Sequence, residues 1–400
     1  MLTACTKAGK TICLGNNQRK EVLLSLRENE EFVCPVCGED VVLKLGDQRI
    51  FHFAHKRAGT CIELFDGETE NHLEGKLQLY HWLMNQKIPA ILEYYDRGIQ
   101  QRPDIMFMYQ GKKYALEYQC SPIPEHIFSK RTHSYLQNGY TPLWIISNQH
   151  LPFRKSNIAS LTNFHYLFLR TSEMGNLYIP AYCPEKRLFH FIDSIIPYSV
   201  KNAFAHHSFH RLERMSLQQL LAPAFTFNKL SITKWEAVVN QFKLHWGLNN
   251  GARSNQFLHE LYNREMNLFL LPAEIGLPVP HSLFIQTSTV VWQSYLFFDV
   301  LIGKKLGDFI TVNEITYFIK KRIRRKEITI RQLPQLDKVP YMDAILDYLF
   351  LLERLGILTK LTETTFQLKQ KILLPRSNRE KEEMWQSFHQ KIKAFSRNNK

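Results

Sequence analysis

The apolar positions of this chain change spacing several times, and each change marks an element. Over 69–84, Leu73, Leu77, Tyr80 and Met84 recur at steps of four, three and four, which predicts a helix with one apolar face. Over 91–95, 104–109 and 113–119 the pattern predicts three strands, the last two joined by a turn at Gln110-Gly111. A second helix is predicted over 126–136. The unbroken run Leu143-Trp144-Ile145-Ile146 reads as a strand buried on both faces. The order α-β-β-β-α-β predicts an α/β (α+β) core: a central mixed sheet flanked by helices.

The flanks differ from this core. Residues 1–65 carry short alternating segments and read as a small β-rich module. Over 151–197 the pattern is less regular. Strand-like runs such as 165–169 either extend the core or link it onward. Beyond residue 200 the spacing is mostly helical, with helices predicted over 232–244, 255–262, 289–301, 312–322 and 342–355. The last is followed by a hairpin around Thr362-Glu363. Helix, helix, hairpin resembles a winged helix, in which a helix enters the DNA major groove and the wing touches the backbone. The expected divisions are 1–65, a core of 66–155, an extension or linker of 156–200, and a basic helical region of 201–400.

Charge sharpens this picture. The 400 residues hold 51 Lys+Arg against 37 Asp+Glu, a net of +14. Residues 301–400 alone hold 21 against 11, a net of +10. Such a surplus favours a polyanionic partner, either nucleic acid or an anionic membrane surface. Its densest part is Lys320-Lys321-Arg322-Ile323-Arg324-Arg325-Lys326, where Lys320, Lys321, Arg322, Arg324, Arg325 and Lys326 are predicted DNA-backbone contacts. The first residues lack a signal peptide's apolar core, and the best apolar stretch, 290–302, is broken by Gln293 and Asp299. Seven cysteines, an odd number with two in a C-x-x-C, fit a reducing compartment and a metal site better than a disulfide framework.

Two constellations carry chemistry. Cys34-Pro35-Val36-Cys37-Gly38 is followed 14 residues later by His52-Phe53-Ala54-His55. Two thiolates and two imidazoles, from Cys34, Cys37, His52 and His55, suit tetrahedral Zn²⁺, and a closed shell of four protein ligands makes the ion structural. Cys61 lies close by and is an alternative ligand. The second constellation is Arg102-Pro103-Asp104-Ile105 with Leu116-Glu117-Tyr118-Gln119. It puts Asp104 and Glu117 at the ends of adjacent strands, and alternation puts Gln119 on the face of Glu117. Two such carboxylates suit Mg²⁺ or Mn²⁺ beside a phosphodiester. Glu74, on the preceding helix, is placed at the edge of its core-facing stripe. Glu70 reads as a solvated charge, and His72 and His81 as ordinary histidines. Arg131 is a candidate phosphate contact, with Tyr135 one turn further along the same helix.

Taken together, Cys-Pro-Val-Cys…His-Phe-Ala-His, Glu74-Gly75-Lys76, Arg-Pro-Asp-Ile, Leu-Glu-Tyr-Gln-Cys-Ser and Arg131…Tyr135…Leu143-Trp144-Ile145-Ile146 resemble the CoiA competence protein family over about residues 25–150. That family carries a core similar to the PD-(D/E)xK, or restriction-endonuclease-like, fold. The resemblance implies a cytoplasmic bacterial protein of natural transformation. It would act on incoming single-stranded DNA during RecA-dependent recombination. It also implies Asp104 and Glu117 as metal ligands and Glu74 as the helix carboxylate that completes a catalytic set with Gln119. Gln119 stands where the wider superfamily usually has Lys, so the missing charge must come from elsewhere, Lys113 or Lys130 being candidates. The alternatives left open are a DNA-binding adaptor that kept the fold without the chemistry, and a protein of the membrane surface.

Overall fold

The computed structural model describes residues 1–16, 18–56, 61, 68–151, 157–225, 230–249, 255–336 and 338–398, the last seven of these as backbone. The N-terminal module is a five-stranded sheet of β1 (Thr3–Thr6), β2 (Thr11–Cys13), β3 (Phe32–Val33), β4 (Asp40–Lys44) and β5 (His52–His55), with helix α1 (Lys20–Asn29) between β2 and β3. Its order is β2-β1-β3-β4-β5, and every pairing is antiparallel. Alternate residues Val41, Leu43 and Phe53 point inward with Phe32 and Leu23 to make a small core.

The central unit starts with α2 (Glu70–Asn85) and continues through β6 (Ala90–Leu92), β7 (Ile105–Tyr109), β8 (Lys112–Gln119), α3 (Glu125–Gln137) and β9 (Tyr140–Ser147). This is the order the sequence predicts. The same sheet then takes in β10 (Ile158–Ser160), β12 (Leu177–Cys183), β13 (Leu188–Pro197) and β14 (Asn202–Arg211). Short α4 (Asn163–Tyr166) and β11 (Arg170–Thr171) lie between β10 and β12, and α5 (Leu217–Leu221) follows β14. The sheet order is β10-β14-β13-β12-β9-β8-β7-β6, with β11 paired to β12. Strands from 156–200 therefore extend the core sheet, and β14 carries it to Arg211.

The run 165–169 is not a strand. The side chain of His165 accepts the Thr162 backbone N–H at 2.9 Å, the reciprocal half of a capping box, and this starts the helical turn α4. Tyr166, Leu167, Phe168 and Leu169 are all buried, so an unbroken apolar run here marks a buried turn.

Alternation along β9 explains the layers. Leu143 and Ile145 join the core beneath α2, while Trp144 and Ile146 join the core beneath α3. On β8, Leu116 and Tyr118 share the α2 side, so Glu117 and Gln119 fall on the α3 side. Close approach of α2 to β8 depends on Gly75: a Cβ there would lie 2.1 Å from Tyr118 Cε1.

The C-terminal unit comprises α6 (Ile232–Asn249), α7 (Gln256–Asn263), α8 (Thr289–Leu296), β15 (Phe309–Thr311), α9 (Val312–Arg324), α10 (Tyr341–Arg354), β16 (Leu358–Thr362), β17 (Thr365–Leu368) and α11 (Asn378–Asn398). Helix, strand, two helices and a hairpin, with the strands in order β15-β17-β16, is a winged-helix topology. No helix among the described residues is long and apolar enough to cross a membrane.

Gly75→Ala is expected to lower stability by about 1–3 kcal/mol through overpacking, although alanine gains about 1 kcal/mol in helix propensity. Urea denaturation of the two proteins measures the difference, and a stabilised variant would contradict the close packing of α2 on β8.

Candidate active site and metal centre

Helix α2 is capped by Thr69, whose hydroxyl accepts the His72 backbone N–H. Its first turns aim His72 and Lys76, four residues apart, at the start of β7. Lys76 is 1% exposed. Its ammonium lies 2.5 Å from Glu68 Oε1, 2.5 Å from Glu93 Oε1 and 3.5 Å from Asp104 Oδ1. Burial opposes a charge on Lys76, but these three carboxylates outweigh it and hold the ammonium protonated far above the ordinary range. Glu93 sits at φ +52°, a strained backbone for a non-glycine residue. It is fixed there by Lys76 and by the backbone N–H groups of Leu2 (2.8 Å) and Thr3 (3.0 Å), which donate to Oε2. Its own N–H donates to the Asp104 carbonyl at 2.9 Å. Removing the cation from such a buried set costs about 3–5 kcal/mol.

Asp104 lies in the bend before β7. Its Oδ2 accepts from the Tyr118 N–H at 2.8 Å and lies 3.3 Å from His72 Nε2. Burial disfavours the ionised form. The His72 ring, then Lys76, then the hydrogen bonds from His72 and Tyr118 reverse this and leave the carboxyl well below the usual range. A depressed folded pKa means that ionised Asp104 contributes stability above the ordinary carboxylate range. The contribution is lost only as pH falls through the lowered value.

Glu117 is the opposed residue. The register pairs Ile105 with Leu116, so one step outward brings Asp104 across from Glu117. Glu117 is buried, and its Oε1 accepts from Arg131 at 2.5 Å and from the Tyr135 hydroxyl at 2.5 Å. Both donors come from α3, as the face of β8 dictates. Burial, then the Glu117 charge, keeps the Tyr135 phenol protonated. Gln119 is buried and donates to the Ser121 carbonyl at 2.8 Å.

Asp104, Glu117, Gln119, Glu68 and Arg131 line one groove of about 1340 Å³, and so does Lys130. Both carboxylates reach the wall of this groove, Asp104 held from the α2 side by His72 and Glu117 from the α3 side by Arg131 and Tyr135. Glu74 is elsewhere. It accepts from Gln78 at 2.5 Å and faces Tyr182 and Arg187, because two residues of helix turn it roughly 200° from both His72 and Lys76. The acid that the α2 end brings to the groove is Glu68. Lys113 is also elsewhere. It pairs with Asp96 at 3.5 Å at the far end of β8, and the lysine beside Asp104 is the buried Lys76, behind the groove wall. His81 bonds the Gly15 carbonyl and Glu70 is exposed.

At the same groove, Cys34, Cys37, His55 and Cys61 bring their ligand atoms within 4.8 Å of one another, a group that could hold a metal ion. Cys37 Sγ is 3.4 Å from His55 Nε2. His52 is not in this group. Three residues apart on one strand, His52 and His55 point to opposite faces, and His52 Nδ1 lies 2.8 Å from the Ile50 carbonyl. Cys61 takes the fourth position. Three thiols and an imidazole match a closed structural site.

The basic run divides. Lys320, Lys321, Arg324, Arg325 and Lys326 are exposed at the end of α9. Arg322 is not available to DNA. It is buried, 2.7 Å from Glu260 and from Asp299 and 2.8 Å from Glu327, with its guanidinium 4.1 Å from the Tyr295 ring centre. Helix α10, which would enter a major groove in the winged-helix arrangement, packs inward on Ala344, Ile345, Tyr348, Leu349 and Leu352. Its Asp347 binds His281 at 2.9 Å.

The fold and groove define a protein with a nuclease-like domain between a small β-rich module carrying a Cys/His cluster and a winged-helix-like region. The CoiA N-terminal domain matches residues 15–62, the CoiA nuclease-like domain 68–225 and the CoiA C-terminal domain 231–381. Competence protein CoiA of Bacillus subtilis (strain 168) is 31% identical over 360 residues, 87% of this chain and 94% of that protein. The chain belongs to the CoiA competence protein family. No solved structure matches it.

Sequence reasoning missed Lys76, Glu68 and Glu93 as members of the site. Lys76 carried one signal, a lysine on the same helix face as His72. Cys61→Ser is expected to lower the bound metal of the purified chain, and His52→Ala to leave it unchanged. Metal analysis by mass spectrometry decides this, and the reverse result would restore the C-x-x-C…H-x-x-H ligand set.

Proposed function

We propose that this protein is a metal-dependent deoxyribonuclease of natural competence, acting in the cytoplasm on incoming single-stranded DNA as it is recombined into the chromosome. The observation that carries this reading is the pair Asp104 and Glu117 on opposed strand positions, lining one groove with Lys130 and Arg131. Asp104 and Glu117 would hold Mg²⁺ or Mn²⁺, with Gln119 beside them. Such an ion, when bound, supplies an acidified water and a polarised phosphate oxygen.

The chain's own residues do the rest. Lys76 and His72 keep Asp104 ionised, hence a competent ligand at low pH. Arg131 orients Glu117 and places its positive charge at the groove wall, where a phosphate would lie. Lys76 stands in for the charge that Gln119 lacks, but as a fixed, buried cation. In the Cys34, Cys37, His55 and Cys61 cluster the ion would be a structural Zn²⁺, holding the wall of the groove opposite α3. The exposed Lys320, Lys321, Arg324, Arg325 and Lys326 ridge would supply salt-dependent, sequence-independent DNA affinity. RecA and other competence proteins are the partners this role calls for.

One observation favours a second reading, a DNA-binding adaptor without chemistry: Glu117 Oε1 is already capped by both Arg131 and Tyr135. The two readings separate in one experiment. Purified chain with Mn²⁺ is incubated with single-stranded and displaced-strand DNA. Cleavage is expected, falling roughly a hundredfold or more in Asp104→Ala and Glu117→Ala, the scale at which loss of one electrostatic stabiliser lowers kcat. Glu74→Gln should cleave like the native chain. Binding without cleavage by the native chain would favour the adaptor, and undiminished cleavage in Asp104→Ala would reject the site.

A further inference from the structure

The nuclease-like and C-terminal units line a second cavity, of about 410 Å³, that shares no lining residue with the acidic groove. One side is β11, where Arg170 pairs with Tyr178 of β12 and its guanidinium lies 5.9 Å from the Tyr178 ring centre. The other side is Gln335, Leu336, Lys338 and Asp343 together with His281 and Phe284.

Arg170 is the anomaly. Its Nε and NH1 are buried without a hydrogen-bond acceptor, and it forms no ion pair with any described carboxylate. The residue as a whole is half-buried, and leaving two of its guanidinium nitrogens out of water without an acceptor costs stability unless a ligand satisfies the group. Gln335 presents the complementary deficit. Its Nε2 donates to the Leu167 carbonyl at 3.0 Å, but its Oε1 is buried and without a donor. Exposed Lys338 stands at the rim. His281 lies 2.9 Å from Asp347 through its ring and donates its backbone N–H to the same carboxylate at 3.1 Å. That hydrogen bond holds the imidazole's pKa above its ordinary value and adds cationic character to the wall. Asp343 is the acidic residue among the described lining, and Leu136 and Phe284 give apolar surface. The volume falls within the ~300–1,000 Å³ of small-ligand sites, which favour domain interfaces.

We propose that this cavity binds a phosphate-bearing small molecule, with Arg170 as the anchoring cation, Lys338 as a second contact and Gln335 accepting from a hydroxyl or amino group of the ligand. The shared chemistry is the phosphate, supplied either free or as part of a nucleoside monophosphate. A cavity of about 410 Å³ suits a small molecule better than a DNA duplex. A ligand there touches both units and tightens their contact. The inference is independent of whether the acidic groove cleaves DNA.

The test is thermal unfolding and titration calorimetry of the full chain with inorganic phosphate or with AMP, against chloride at matched ionic strength. A saturable rise in Tm is expected. A rise with AMP alone identifies the nucleotide as the source, and equal rises identify free phosphate. Arg170→Gln should weaken binding about ten- to a hundredfold, the range of a charge-assisted hydrogen bond, while leaving the ligand-free Tm no lower. Should Arg170→Gln fail to fold, Lys338→Ala, an exposed change, decides by a weaker but measurable loss. No saturable shift from either ligand, unchanged affinity in the variants, or a shift produced only by oligonucleotide would overturn the proposal.

Discussion

A single buried ammonium organises the functional half of this molecule. Lys76 reaches from α2 to Glu68, Glu93 and Asp104, which lie before α2, after β6 and before β7. None of these positions is fixed by regular backbone pairing alone. Asp104 lies in a bend, and Glu93 has a left-handed backbone. In water such a set of charges would be held weakly; buried, each is strongly dependent on the others. The same contact therefore sets the angle of α2, keeps Asp104 ionised and fixes where β7 begins.

From that anchor the remaining geometry follows by alternation and close approach. Gly75 lets α2 lie against Tyr118, which sets the face of β8. Glu117, one residue before Tyr118, must then face α3, where Arg131 and Tyr135 meet it. The Cys-His cluster closes the groove from the N-terminal module, so that a thiol-rich group and a carboxylate pair line one opening. In the C-terminal unit Arg322 plays the part that Lys76 plays here. It gathers Glu260, Asp299 and Glu327, and so ties α7 and the helical turn 297–301 after α8 to α9.

Much of the core was legible in the sequence because periodicity reports burial. The order of helices and strands, the double-faced strand at Leu143–Ile146 and the pairing of Asp104 with Glu117 all follow from spacing and a hairpin turn. What was not legible depends on direction or on distant partners. An H-x-x-H on a helix can share a ligand, but on the strand β5 it cannot, so His52 yields to Cys61. Glu74 and Lys76 are two residues apart on α2, and only the packing of Tyr118 on Gly75 shows which of them turns toward Asp104. The run 320–326 reads as one basic patch, yet Arg322 sits on the buried face of α9, while its neighbours lie outside. The apolar run at 165–169 is as consistent with a buried turn as with a strand, and the Thr162–His165 cap decides it.

The carboxylate pair is tested most directly by Mn²⁺ binding, followed by electron paramagnetic resonance on the purified chain with its Cys-His cluster already loaded. The arrangement of Asp104 opposite Glu117 predicts one additional Mn²⁺ site, lost in Asp104→Asn and in Glu117→Gln and retained in Glu74→Gln. Binding that survives both of the first two changes, or that disappears with Glu74→Gln, would contradict it.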